Sequence, residues 1–179
     1  MYEKLNLGCG TDIKPGYVNL DIASMPGVDV VHDINVLPLP FHTECFSEII
    51  CQDVLEHLDY INLVQDLYRI LKPGGKLVIR VPHYTSRNNH VDPTHKKTFS
   101  HRTFEFFVKN SGFGRQYYFK FPGFAKINRA DILFEKKWLL YNYLLETVIN
   151  IHPKIKSLYE ATFLCYIFPA ENIIVELQK

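Results

Sequence analysis

The 179-residue chain has no run approaching eighteen apolar residues, which excludes a membrane-spanning helix. No apolar segment follows a basic start, so no secretory leader is expected. The four cysteines, Cys9, Cys45, Cys51 and Cys165, form no CxxC pair and no finger spacing. That absence argues against a disulfide scaffold or a zinc finger, and for reduced thiols in a cytoplasmic protein. The eight histidines show no H-x3-H or HExxH interval, so no metal site is expected. Repeats, low-complexity tracts and interdomain linkers are also missing. With 47% hydrophobic and 22% charged residues, the sequence reads as one globular domain, 1–179, long enough for a three-layer core.

The stretch that is most informative lies at the start. Lys4-Leu5-Asn6-Leu7 ends in Gly8-Cys9-Gly10, a strand stopping at a tight turn where the backbone can approach a ligand closely. Tyr17 to Ile22 alternates as a second strand and places Asp21 at its carboxyl end, where a carboxylate can accept from both hydroxyls of a ribose. A dinucleotide fingerprint would need a third glycine where Ile13 stands, and a helix to neutralise a pyrophosphate. Only ten residues separate Gly10 from Asp21, and Pro15-Gly16 break them. A full crossover helix does not fit, so a nucleoside cofactor without phosphates is expected.

Taken in order, the rest of the chain supplies further strands. Val28 to Val31 leads into His32-Asp33-Ile34, and the prolines of Leu37 to Phe41 rule out helix or central strand there. Phe46 to Cys51 reads as a buried parallel strand followed by Gln52-Asp53. Val54-Leu55-Glu56-His57-Leu58 opens a helical region that runs to Leu71 with apolar residues three and four apart. Lys72-Pro73-Gly74-Gly75 is expected to cap that helix, and Lys76 to Val81 to form the fifth strand.

In this order and spacing, LNLGCG, KPGYVNLDI, VVHDI with LPF, VLEHL and LKPGGKLVIRVP cover residues 4 to 82. The chain resembles the class I S-adenosylmethionine (SAM)-dependent methyltransferases, most closely a compact subgroup of them. The resemblance implies an α/β Rossmann-like fold: a mostly parallel seven-stranded sheet with helices on both faces, a shortened first crossover and an antiparallel last strand. It implies SAM as cofactor, held by Leu7, Gly8, Cys9, Gly10, Asp21, Ile22, Asp33, Ile34, Gln52 and Asp53. By the same resemblance, Asp33 sits at the adenine amino group and Ile34 beside the ring; an Asp that merely caps the next turn is the alternative. Two positions depart from the pattern: Asn6 stands where many relatives carry an acid, and Asp12 where a third glycine is common.

Residues 83–101 hold four of the eight histidines in a long polar segment after the fifth strand, the expected substrate loop. His90, His95, His57 and His83 are the candidate bases, because imidazole titrates near neutral pH. Tyr84 is a candidate for orienting an acceptor hydroxyl. Beyond the loop, helices are expected over Thr103–Asn110, Phe134–Ile151 and Lys154–Ile167, the last two within a helical insertion at 126–168. A strand is expected at Gln116–Phe121 and a closing one at Asn172–Leu177. The 134–151 helix is apolar nearly all round and is therefore buried, paired with another chain as in a homodimer, or laid on a membrane surface.

The net charge of +1 hides an asymmetry, with two basic and eleven acidic residues through Asp66, and eighteen basic and eight acidic from Leu67 onward. An acidic cofactor half suits a sulfonium cation, and a basic second half an anionic acceptor: a small molecule, a sugar or a lipid-linked group. A catalytically inactive SAM-binding subunit is the alternative from another class. Nucleic acid is a disfavoured acceptor, because no DPPY-like or NPPY-like tetrapeptide occurs.

Overall fold

The computed structural model describes residues 3–114, 123–137 and 139–179. Seven strands form one sheet in the order β3-β2-β1-β4-β5-β7-β6. They are β1 (Lys4–Leu7), β2 (Val18–Asp21), β3 (Val30–Val31), β4 (Phe46–Gln52), β5 (Leu71–Pro82), β6 (Lys126–Leu133) and β7 (Asn172–Gln178). β1 to β5 pair in parallel, whereas β7 runs antiparallel between β5 and β6. The Rossmann-like methyltransferase architecture and its reversed last strand are as the sequence implied.

Leu5, Leu7, Ile49, Cys51, Leu77 and Ile79 are fully buried along the central strands at every second position, so one face of the sheet carries the main core while Ile50 and Val78 on the other are half-buried. Helix α1 (Tyr60–Ile70) lays Leu63, Val64, Leu67 and Ile70 on this core. From its outer side Arg69 reaches Asp66 and the carbonyls of Leu39 and Phe41, which pins the proline segment that sequence had placed outside helix and sheet.

The first crossover holds no helix. Its loop is instead fastened by two buried asparagines on adjacent strands. Asn6 Nδ2 donates to Asp12 O and to Asn19 Oδ1, while Asn19 Oδ1 also accepts from Lys14 N and its Nδ2 donates to Lys14 O.

Several expected boundaries move. Leu55–His57 is a separate 3-10 turn, not the first turn of α1, because Leu58 is extended and Asp59 is also non-helical ahead of Tyr60. The helix ends at Ile70 with Leu71 already extended, so Lys72–Gly75 is not its cap; it is a bulge inside β5, where pairing shifts from Phe46↔Leu71 to Glu48↔Lys76. Thr103–Phe107 forms a 3-10 helix, shorter than the α-helix expected to Asn110.

The helical insertion expected at 126–168 begins with a strand, β6. Of the predicted 134–151 helix only α3 (Asn142–Asn150) is helical. Lys154–Ile167 is two helices, α4 (Pro153–Ala161) and α5 (Leu164–Ile167), interrupted at Thr162 and Phe163. The strand expected at Gln116–Phe121 lies outside the described residues.

A second core of Ile132, Phe134, Ile149, Tyr159, Cys165 and Ala170 holds these helices against β6. Leu144 on α3 and Tyr166 on α5 are exposed, as are Leu140 and Phe163 just ahead of those two helices. Among the described residues no helix is long and apolar enough to cross a membrane.

Candidate active site

The carboxyl ends of β1, β2 and β4 meet at the glycine turn. Gly8 and Gly10 have φ of 65° and 49°, the left-handed region that glycine enters without a Cβ penalty. A Cβ on Gly8 would stand 2.5 Å from Val54 Cγ2, so this glycine is also required by the chain leaving β4. Gly10 faces open space, with nothing within 4 Å of the Cβ position.

Asp21 Oδ2 accepts from Gly10 N at 2.8 Å, and Oδ1 from Ala23 N at 2.9 Å. Each oxygen keeps a lone pair, so the carboxylate both shapes the turn and can still accept from a ligand. Leu7 is buried beneath the turn, and Cys9 is 4% exposed with its thiol pushed up by burial. Ile22 is 65% exposed at the tip of β2, an apolar side chain in solvent beside the turn. Asp33 does cap its own turn, accepting from Asn35 N and Nδ2, and Ile34 is half-buried next to it. Gln52 closes β4, and Asp53 takes φ of 55° and is clasped by Arg80 through two guanidinium nitrogens.

A cavity of about 610 Å³ opens beyond the ends of β4 and β5. Asp53, Glu56, His57, Arg80, Asp92, His95 and Glu171 supply its charged and imidazole lining. A larger cavity, about 930 Å³ between β6 and α4, shares no lining residue with it or with the glycine turn.

The four candidate histidines separate. His57 and His95 line the cavity with ring centroids 4.7 Å apart, brought together by the turn after β4 and the 83–101 loop. His90 is exposed on α2 (Asn88–Val91) and is not part of the lining.

His83 is fully buried elsewhere. Its Nδ1 accepts from Thr85 N at 3.1 Å, which leaves Nε2 to donate to Glu160 at 3.1 Å. His101 and Ser100 also bind Glu160, and Tyr84 donates to Glu160 O at 2.9 Å, so this group ties the loop to α4 instead of meeting an acceptor. Burial works to raise the Glu160 carboxyl, but the hydrogen bonds from His101, His83 and Ser100 outweigh it and hold the group well below the usual carboxylate range.

Around His57 the hydrogen bonds fix a tautomer. Thr94 Oγ1 donates to Asp92 Oδ1 at 2.6 Å, so its lone pair faces His57 Nδ1 at 2.8 Å and accepts a hydrogen bond from the N–H there. His57 Nε2 is then the basic nitrogen.

Glu56, which sequence reasoning passed over although it stands beside His57 in VLEHL, is 1% exposed, and burial pushes its carboxyl up to about 7. Arg80, Asp92 and Glu171 were likewise missed as lining residues, since no spacing in sequence brings them together. Metal-binding intervals are absent from the sequence, yet Glu56, His57 and His95 each offer a donor atom within 4.8 Å of the other two.

A family model described as a methyltransferase domain matches residues 5–79. An uncharacterized protein of Methanocaldococcus jannaschii is 43% identical over 47 residues, which is 26% of this chain and 21% of that protein. The match thus spans about a fifth of that relative's length. A SAM-dependent methyltransferase of Archaeoglobus fulgidus superposes with a TM-score of 0.63 at 20% identity, covering 98% of this chain and 85% of the other.

Haemonchus contortus phosphoethanolamine N-methyltransferase 2, in complex with phosphomonomethylethanolamine and S-adenosylhomocysteine, gives 0.57 at 18%, covering 98% and 48%. A Mesorhizobium loti S-adenosylmethionine-dependent methyltransferase gives 0.55 at 14%, covering 99% and 90%. Residues 5–79 thus match the methyltransferase domain model, and the chain as a whole shares the fold of these solved SAM-dependent methyltransferases.

Proposed function

We propose that the chain is a SAM-dependent methyltransferase acting, as a single domain, on a small or lipid-linked acceptor that enters the cavity beyond β4 and β5. The carrying observation is the Gly10–Asp21 clasp at 2.8 Å, which sets an open glycine turn and a carboxylate with spare lone pairs side by side; Val54, packed on Gly8, follows Asp53 of the cavity lining. These residues fit an adenosyl cofactor. Gly8, Cys9 and Gly10 offer backbone at the turn, Asp21 takes the ribose hydroxyls, and Ile22, Asp33 and Ile34 form the adenine side. Gln52 and Asp53 lie toward the methionine end. When bound, SAM supplies a methyl on a positively charged sulfur: the acceptor's lone pair forms the new bond, the C–S pair stays on sulfur as a neutral thioether, and the acceptor proton leaves to a base or solvent.

His57 and His95 are the two candidate histidines that line the cavity, so a part in activating an acceptor, as base or through a bound ion, is assigned to them and not to His90 or His83. Holding an acceptor in line is itself worth several kcal/mol, which makes the walls of the cavity part of the catalyst. The lining sets four carboxyl groups, Asp53, Glu56, Asp92 and Glu171, against one guanidinium already engaged by Asp53. This balance disfavours the bare anionic acceptor expected from the basic second half, and favours a hydroxyl- or amine-bearing one. The exposed apolar side chains of α3 and α5 support the expected contact with a second copy or a membrane surface; sedimentation with and without vesicles separates the two.

Transfer of labelled methyl from SAM into a cell extract tests the assignment. Incorporation lost in an Asp21→Ala variant supports it. Calorimetric binding of S-adenosylhomocysteine with no transfer to any acceptor would leave a SAM-binding subunit instead, and no binding at all would end the reading.

A further inference from the structure

We propose that Glu56, His57 and His95 hold a divalent transition-metal ion at the floor of the acceptor cavity. One donor atom from each lies within 4.8 Å of the other two. Two imidazoles and a carboxylate are a donor set for Zn, Mn, Fe, Co or Ni, whereas Mg and Ca prefer oxygen alone. Ligand bonds of about 2.0 to 2.2 Å put neighbouring donors about 3 to 3.5 Å apart, so binding asks the side chains to close by roughly an ångström.

Two orphaned atoms point to that ligand independently of the spacing. Glu56 Oε2 and His95 Nδ1 are both buried with no hydrogen-bond partner, on side chains that are 1% and 8% exposed. An unsatisfied carboxylate oxygen in a protein interior costs about 1–3 kcal/mol or more, and buried polar atoms without partners are uncommon in folded proteins. A cation bound at this cluster would give such buried donor atoms the partner they lack.

The surroundings carry the supports that metal-ligating histidines usually have. Thr94 holds His57 Nδ1 and is itself anchored on Asp92, leaving the second ring nitrogen for a ligand. Asp92 Oδ2 stands 3.9 Å from His95 Nε2, beyond hydrogen-bond reach but close enough to place a negative charge beside that ring. The backbone carbonyl of Glu56 is fixed by Lys96 N at 2.7 Å and Lys97 N at 3.2 Å, which locks the 3-10 turn against the substrate loop. Asp53, Asp92 and Glu171 add negative potential around the site.

Three protein ligands leave coordination positions open toward the cavity, for an acceptor oxygen. A hydroxyl bound there loses its proton to solvent more readily, and acceptors with a second oxygen able to chelate are preferred. This use of the cation rests on the methyltransferase reading, while the binding of the cation does not.

Co2+ or Mn2+ alone, titrated into chelator-stripped full-length chain and followed by calorimetry and by the visible absorption of Co2+, tests the site. The expected result is one ion per chain, with His57→Asn, His95→Ala and Glu56→Gln each weakening it at least about tenfold. S-Adenosylhomocysteine affinity should stay unchanged in all three, which also reports that each variant is folded. A stripped chain that takes up no ion, or a folded His57→Asn variant that binds as the parent does, overturns the site. Ion binding without S-adenosylhomocysteine binding would keep the site and refute the methyltransferase reading; the reverse would do the opposite.

Discussion

Asn6 donates through Nδ2 to Asn19 Oδ1 at 3.0 Å, and the two amides, 3% and 4% exposed, bind the loop that stands where a crossover helix would. The departure of Asn6 from the acid expected in relatives has a local cause. Its Nδ2 faces two acceptors, Asp12 O and Asn19 Oδ1, and a carboxylate there would meet oxygen on both sides.

An Asn6→Asp variant should therefore be destabilised by about 3 kcal/mol, more than Asn6→Ala, because it buries a charge among acceptors while Ala only removes donors. Urea denaturation of the two variants checks the order. An Asn6→Asp protein as stable as the parent would show that the loop is held by other means.

Asp21 binds Gly10 N and Ala23 N while keeping lone pairs for a ligand. Removing a carboxylate that accepts from sugar hydroxyls costs about 1.5–3 kcal/mol, so Asp21→Ala should bind S-adenosylhomocysteine roughly 10- to 150-fold more weakly. Asp21→Asn, which keeps one acceptor oxygen, should fall between. Calorimetry paired with thermal melts separates lost ligand contacts from a loosened turn: affinity falls far more than stability if the ribose contact is real.

Much of this was legible because the chemistry of the first five strands is local. Leu5, Leu7, Ile49 and Leu77 sit in short apolar runs, and a glycine turn followed by a strand-end acid has few other uses. β6 was missed because it lies at the sheet edge, where only Ile132 of Lys126–Leu133 is buried and the remaining residues carry no strong alternation. Gly74, with φ of 76°, was assigned to a helix cap because left-handed glycine serves caps and bulges alike; only the pairing of Leu71 with Phe46 decides between them. The meeting of His57 with His95, thirty-eight positions apart, depends on how the 83–101 loop folds back, and no periodicity reports that.

The separation of the four histidines predicts unequal effects on turnover. His57→Ala should reduce kcat by about 10²- to 10⁴-fold once an acceptor is known, whether the ring acts as base or ligand. His90→Ala should stay within about twofold of the parent, because that side chain is exposed on α2 outside the cavity lining. Equal losses for the two would mean that the loop closes over the acceptor in a different arrangement.

Glu160 predicts how the fold responds to acid. Hydrogen bonds from His101, His83 and Ser100 overcome the effect of burial and depress its folded-state pKa, so the unfolded chain, with an ordinary carboxyl near about 4.3, binds the proton more readily. The stability from Glu160 is then fully present above that ordinary value and is lost as pH falls below it toward the depressed one. Glu160→Gln keeps the shape but weakens three contacts, His83 Nε2, Ser100 Oγ and His101 N, and should cost about 2 kcal/mol at neutral pH. Its stability should also depend less steeply on pH between about 5 and 3 than the parent's. Because Glu160 joins the 83–101 loop to α4, amide exchange in residues 83–101 should quicken in the variant while α1 stays protected. Parallel acid limbs in the two proteins would place the titrating group elsewhere and leave Glu160 a packing residue alone.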